Sequence, residues 1–255
     1  MTARIVADGL TKRFSGTTVV DNVSFIVEPG QIVGLIGPNG AGKTTLFNLL
    51  SGVLTPDGGT LTVNGVDATR LPPYRLARLG LTRTFQLARE LDRLTVLENV
   101  MLAARDNVGE SLGGALFRPA ATRAADRAVT GRAREVLALV SLSAHENKFA
   151  ANLSGGQKKL LELARCLMAE ADTILLDEIA AGVAPHLVEE IAVLIQRLNR
   201  NHGKTFVIIE HNIGFIRNLS SRVVVMAGGK VLAEGSFAHV SSNPAVIQSY
   251  LGEAA

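Results

Sequence analysis

The stretch Gly37-Pro38-Asn39-Gly40-Ala41-Gly42-Lys43-Thr44-Thr45 places three glycines, a lysine and two hydroxyls within nine positions. The spacing fits G-x-x-x-x-G-K-[ST] at Gly37, Gly42, Lys43 and Thr44, with the apolar run QIVGLIG before it and a helical apolar period after it. Glycines let successive backbone N–H groups turn toward a β-phosphate, and the helix N-terminus adds a favourable dipole. Lys43 is then expected to reach the β- and γ-phosphates, and the Thr44 hydroxyl to ligate Mg2+. The pattern predicts a nucleoside triphosphate site.

Two carboxylates, Asp177 and Glu178, close the apolar run TILLDE. Open α/β sheets bind ligands at the carboxyl ends of their strands, so Asp177 suits the Mg2+ shell. Glu178 suits the base or orienter for a water attacking the γ-phosphate. His211 follows the apolar run TFVIIE, from which it could point at the same phosphate. Gln86, after TRTF, could meet Mg2+ or the attacking water. Read alone, His211 and Gln86 more often fill ordinary structural roles.

A second anion site stands in LSGGQKKLLELARCLM, where Ser154, Gly155 and Gly156 open a helix with exposed N–H groups. Plain helix capping would use the same residues. Within one molecule this site has no evident ligand, and it makes sense if it serves the nucleotide of a second chain. Two chains, head to tail, would then sandwich two ATP molecules between the glycine loop of one and the Ser-Gly-Gly of the other.

The elements that must position these residues are legible as periodicities. RIVADGL and TTVVDNVSFIVEPG alternate like antiparallel strands, and GGTLTVNG returns to strand after the first helix. From about Pro72 to Asn152 the chain is Arg- and Ala-rich, with helical periods in TVLENVMLAARD and ATRAADRAVTGRAREVLALVSL separated by the glycine-bearing NVGESLGGALFRPA. Helices over 154–169 and 186–199 then alternate with the strands TILLDE and TFVIIE, followed by RVVVMAGG, KVLAEG and a helix PAVIQSYLG. Alternating strands and helices predict a parallel sheet. The expected fold is therefore an α/β core with a mixed or parallel sheet, an N-terminal antiparallel β-subdomain and an inserted helical subdomain. The expected boundaries are 1–86 and 171–255 for the core and 87–170 for the helical part.

Composition sets the outer limits. The chain has 255 residues, 47% apolar and only 4% aromatic, so its core is built from Val, Leu, Ile and Ala. One cysteine, Cys166, excludes an internal disulfide and reads as a small buried hydrophobe. The first residues carry no long apolar core, so a secretory signal is not expected, and no run of roughly 18 apolar residues predicts a membrane span. Net charge is +3, but the stretch from Arg70 to Arg134 holds twelve arginines against six acids. Such a patch suits nucleic acid, anionic lipid or acidic loops of a partner, and equally a set of solvated helix faces.

Taken in order, these motifs resemble the ATP-binding subunits of ABC transporters over essentially the whole chain. They supply a Walker A from Gly37 to Thr45, a Q-loop at Gln86, an LSGGQ signature from Leu153 to Gln157, a Walker B ending at Asp177-Glu178 and a switch His211. Phe14 resembles the aromatic that stacks on adenine. The signature extension, DEIAAGVAPH and the ending NPAVIQSYLG are similar to the ATPases of branched-chain, or hydrophobic, amino-acid importers. Ile179 stands where a Pro commonly follows the Walker B Glu, and Ala184 where many members carry an Asp.

The resemblance implies an ATPase on the cytoplasmic face of the inner membrane, peripheral to integral membrane permease subunits. It would bind ATP and Mg2+ through Phe14, Gly37 to Thr45, Asp177 and Gln86, and through Ser154, Gly155, Gly156 and Gln157 of a second ATPase subunit, identical or related. Glu178, His211 and Gln86 are its implied catalytic residues. A solute-binding protein outside the membrane would take part indirectly, and nucleic acid is not an expected partner. The competing reading is a soluble ABC-type ATPase acting on nucleic acid or the ribosome, which generally carries tandem domains or a coiled-coil insertion. A nucleotide kinase would leave LSGGQ and His211 unexplained.

Overall fold

The computed structural model describes residues 4–84, 91–105 and 119–251. Gln86 and most of the glycine-bearing segment before the long helix lie outside the described residues. The chain divides into two compact units, one of Met1–Arg83, Asp172–Ala181 and Val188–Ala255, the other of Thr84–Ala171 and Gly182–Leu187.

The first unit begins with β1 (Ile5–Phe14) and β2 (Thr17–Val27), an antiparallel pair as their alternation predicts. Ser15 and Gly16 join them with positive φ at both positions, which matches the right-handed twist of a two-residue hairpin. The strand β3 (Ile32–Ile36) is buried along its whole length and feeds the glycine loop and α1 (Lys43–Leu50). Next come β4 (Gly58–Val63), β5 (Val66–Asp67), α2 (Pro73–Arg78) and β6 (Leu81–Arg83). β4 and β5 complete a four-stranded antiparallel sheet in the order β2-β1-β4-β5.

The second unit is helical. Its α3 (Val96–Met101), α4 (Pro119–Leu139) and α5 (Gly155–Met168) pack on one another. Thr95 and Glu98 form a capping box at the start of α3. The buried Asn99 side chain donates to the carbonyls of Leu91, Leu94 and Thr95, pinning the turn that precedes the helix. Cys166 is buried on α5, and burial pushes its thiol up to about 12, so at neutral pH it is an inert apolar filler, as its surroundings in the sequence suggested.

The chain then returns to the first unit with β7 (Thr173–Asp177). After α6 (Pro185–His202), whose first residues belong to the helical unit, come β8 (Thr205–Ile209), α7 (Ile213–Leu219), β9 (Arg222–Ala227) and β10 (Lys230–Gly235). The short α8 (Phe237–Ser241) and α9 (Pro244–Leu251) follow. The second sheet has the order β10-β9-β3-β8-β7-β6. Its strands run parallel except for β10, which returns antiparallel along β9. The α/β core with its antiparallel sheet and helical insertion is the fold the sequence predicted.

One hydrophobic cluster serves both sheets. Ile5, Val20 and Leu61 of the antiparallel sheet share it with Val33, Leu175 and Val207 of the other, and with Leu46, Phe47 and Leu50 of α1. The helix that carries the phosphate-binding residues is therefore anchored from below by the core. Replacing the fully buried Phe47 by Ala is expected to cost about 3–5 kcal/mol. A fall in the urea midpoint with an unchanged m-value is the measurement that checks it.

Candidate active site

The glycine loop leaves β3 under tight steric limits. A Cβ on Gly37 would collide with the Met226 carbonyl oxygen, and one on Gly42, at φ 92°, would sit 2.5 Å from the Val19 carbonyl oxygen. Both obstacles are backbone, so neither can move aside cheaply, and glycine is the residue each position admits. Gly42 is also the N-cap of α1 and offers no side-chain acceptor, which leaves the first N–H groups of the helix facing outward. The buried Lys43 folds back over the loop, its Nζ donating to the Gly37 and Pro38 carbonyls at 2.7 and 2.8 Å. Thr44 and Thr45 follow on the first turn.

Asn39 to Thr45 line a cavity of about 270 Å³ together with Val19 and two residues that follow other strands, Glu178 and His211. The register of the sheet explains the meeting. Ile209 of β8 is level with Leu35 of β3 on one side and with Asp177 of β7 on the other. The glycine loop, Glu178 and His211 therefore leave three neighbouring strands at one height. Glu178 adopts a left-handed backbone, φ 49°, and its N–H donates to the Ile209 carbonyl at 2.9 Å. Its Oε1 lies 3.1 Å from Nε2 of His211.

Asp177, the last residue of β7, does not line this cavity. Phe14, 43% exposed at the tip of β1, does not line it, and Lys12 Nζ sits 5.7 Å from its ring centroid. Gln86 is outside the described residues. In the helical unit, Ser154 caps α5 in a reciprocal box: its Oγ accepts the Gln157 N–H and Gln157 Oε1 accepts the Ser154 N–H. Gly156 is pressed so closely against Leu187 and Val183 that a Cβ there would collide with the Leu187 side chain. Gln157 Nε2 lies 2.7 Å from Nε2 of His145, a neighbour that sequence reasoning did not mark. Capping and an outward-facing helix start thus coexist here.

The family model described as ABC transporter matches residues 20–181. The chain belongs to the ABC transporter family. A second model, described as branched-chain amino acid ATP-binding cassette transporter, matches residues 230–255. The chain is 39% identical to the high-affinity branched-chain amino acid transport ATP-binding protein LivG of Salmonella typhimurium over 250 residues, 98% of each chain. It superposes on a nucleotide-free ATP-binding cassette from an ABC transporter with a TM-score of 0.84 and 35% identity, covering 97% of this chain and 98% of that one. A cassette in its ADP conformation gives a TM-score of 0.83 at 33% identity, covering 99% and 100%.

Within this ABC cassette, two residues at the site went unmarked by motif reading. Arg83 is one of the twelve arginines of the patch. Its side chain is 11% exposed and its Nη2 donates to Asp177 Oδ2 at 2.6 Å, with Asp177 17% exposed. Its Nη1 donates to Asn48 Oδ1 at 2.6 Å, and the guanidinium lies over the Phe47 ring. Arg83 thus ties β6, α1 and the end of β7 together. The other residue is Glu210, 4% exposed, whose Oε1 accepts the Ala180 N–H at 2.6 Å. Nothing in sequence distinguished it from any acid at a strand end.

Arg83→Met should leave the sheltered Asp177 carboxylate without its partner, destabilising the cassette by about 1–3 kcal/mol, and Arg83→Lys should recover only part because an ammonium cannot fork between Asp177 and Asn48. Urea denaturation of the three proteins checks this. Burial raises the pKa of Glu210, the Ala180 N–H lowers it in part, and the nearby Glu178 charge raises it again. A carboxyl whose pKa rises on folding contributes stability below its unfolded pKa and loses it as pH climbs through the folded value. Glu210→Gln should therefore gain in Tm relative to the unaltered protein as pH rises above the ordinary carboxylate range. Melting curves below and above that range read the sign directly.

Proposed function

We propose that this cassette is the ATP-hydrolysing subunit of an importer for branched-chain or other hydrophobic amino acids. The observation that carries the catalytic part is the cavity that holds the glycine loop, Glu178 and His211 together. ABC ATPases of importers work with membrane permeases and dimerise. Among the described residues no helix is long and apolar enough to cross a membrane, which suits a subunit held peripherally on the cytoplasmic face by permease partners. LivG, similar along almost the whole chain, carries branched-chain amino acid transport in its name, and this supports the choice of solute. The nucleic-acid reading has no support from these relatives.

In this reading the N–H groups of Gly40 to Thr45 and the Lys43 ammonium hold the phosphates, with the carbonyls of Gly37 and Pro38 giving up the ammonium to phosphate oxygens. Thr44 and Asp177 offer hard oxygen ligands. Among the described residues no three His, Cys, Asp or Glu side chains gather as a metal site; a hydroxyl and a carboxylate oxygen are the ligand types that Mg2+ would take from the protein. When bound, Mg2+ neutralises charge developing on the β- and γ-phosphate oxygens. Glu178 orients the attacking water and takes up its proton, and His211 holds the Glu178 carboxylate while facing the γ-phosphate. Phe14 stacks on adenine, and Gln86 completes the metal and water contacts.

Ser154, Gly155, Gly156 and Gln157 then read the nucleotide of a second ATPase subunit. Closure of such a dimer is favoured by the γ-phosphate both chains contact, and hydrolysis removes that differential contact. A solute-binding protein outside the membrane delivers the amino acid to the permease.

Glu178→Gln is expected to bind ATP normally, to lose hydrolysis by roughly 100-fold or more, and to accumulate as a closed dimer with ATP and Mg2+. Light scattering with and without nucleotide tests this. A monomer that still binds ATP would assign the second half of the site to a related ATPase chain. Undiminished hydrolysis would remove Glu178 from the chemistry.

A further inference from the structure

We propose that Glu210 is a positioning residue that holds the backbone after Glu178 so that the Glu178–His211 pair faces the glycine loop. The proposal rests on the reading of Glu178 as the residue that orients the attacking water. Its starting point is a conformational oddity. Glu178 is a non-glycine residue at φ 49°, a left-handed conformation that persists only where the surroundings over-determine it. Three hydrogen bonds do so. The Glu178 N–H donates to the Ile209 carbonyl at 2.9 Å, and the Ala181 N–H donates to the Glu178 carbonyl at 3.2 Å. The Ala180 N–H donates to Glu210 Oε1 at 2.6 Å, the shortest of the three.

Glu210 is well placed for this because it sits between the two residues it serves. It follows Ile209, whose carbonyl takes the Glu178 N–H, and precedes His211, whose ring meets Glu178 Oε1 at 3.1 Å. One buried side chain, directly before His211 in the chain, thus satisfies an N–H in the turn after Glu178. An acid at 4% exposure is a costly choice for a merely structural acceptor. Its reach matters: aspartate is one methylene shorter and cannot span from β8 to the Ala180 N–H without moving one of the two segments.

Loss of this contact leaves the half-buried Ala180 N–H without its acceptor and frees the Glu178 torsion to relax. The carboxylate then leaves the cavity, while the glycine loop, carried by β3 and α1, keeps its grip on phosphate. The consequence is a split between turnover and nucleotide affinity.

The test compares Glu210→Asp, Glu210→Ala and Glu210→Gln in the full chain, with Glu178→Gln alongside. ATPase kcat, affinity for ADP by calorimetry, and Tm are read for each. Glu210→Asp and Glu210→Ala are expected to lower kcat about tenfold or more with ADP affinity within about twofold of the unaltered protein. Glu210→Gln, whose amide oxygen can still accept from Ala180, is expected to recover kcat to within about threefold. Glu210→Asp with unaltered kcat would overturn the proposal, as would Glu210→Gln no better than Glu210→Ala. Should the alanine variant fail to fold, the Asp and Gln pair decides alone. Undiminished hydrolysis by Glu178→Gln would instead sink the reading beneath the proposal, and an inactive Glu178→Gln beside a fully active Glu210→Asp would sink the proposal by itself.

Discussion

The site depends on one set of backbone hydrogen bonds, those that insert β8 between β3 and β7. Because Ile209 is level with both Leu35 and Asp177, three chain segments distant in sequence leave the sheet at one height, about 4.8 Å apart in steps. The glycine loop, the Glu178 turn and His211 inherit their separation from that register. A slip of one residue in β8 would send Ile209 to the opposite face and carry His211 away from Glu178. The buried run TFVII, apolar at four of its five positions, resists such a slip because every residue of the strand is enclosed. Thr205, the polar exception, is held by donation from the Gly30 N–H to its Oγ1.

Carboxylates crowd the end of this sheet, and a site for a polyphosphate must prevent them from repelling it. Each of the three is answered by a different element. Asp177 is met by Arg83 from β6, Glu178 by His211 from beyond β8, and Glu210 by the N–H of Ala180. The Lys43 ammonium, meanwhile, is parked on loop carbonyls, a neutral resting place that phosphate oxygens can outcompete. Negative groups are thus satisfied locally, and the ammonium has loop carbonyls to exchange for phosphate oxygens.

How far the sequence disclosed this follows from which interactions are local. The glycine loop was legible because its chemistry is written in covalent spacing, and Glu178 and His211 because acids and a histidine directly follow apolar strands. The long helices over 119–139, 155–168 and 185–202 announced themselves by period. The short ones, Pro73–Arg78, Ile213–Leu219 and Phe237–Ser241, span two turns or fewer and carry too few apolar positions to show one. Arg83, Glu210 and His145 stayed hidden because each acquires meaning only from a partner brought by the fold: Asp177 across the sheet, Ala180 in the next loop, Gln157 at another helix. Charge counting placed Arg83 in a surface patch, whereas its side chain is among the more sheltered cations of the core unit.

The isoleucine at position 179 gains a physical reading from the same contacts. A proline after the Walker B glutamate would fix its own φ through the ring and need no help to stiffen the turn. Isoleucine leaves that torsion free, so the turn must be held by packing and hydrogen bonds instead. Both are present. The Ile179 side chain is buried at 1% exposure, and the very next N–H, that of Ala180, is the one Glu210 takes. In this chain a covalent constraint is absent from the turn, and an apolar anchor and a buried carboxylate flank the place where it would have been. The two substitutes act on consecutive residues immediately after Glu178, which is where a loosened turn would do most to displace its carboxylate.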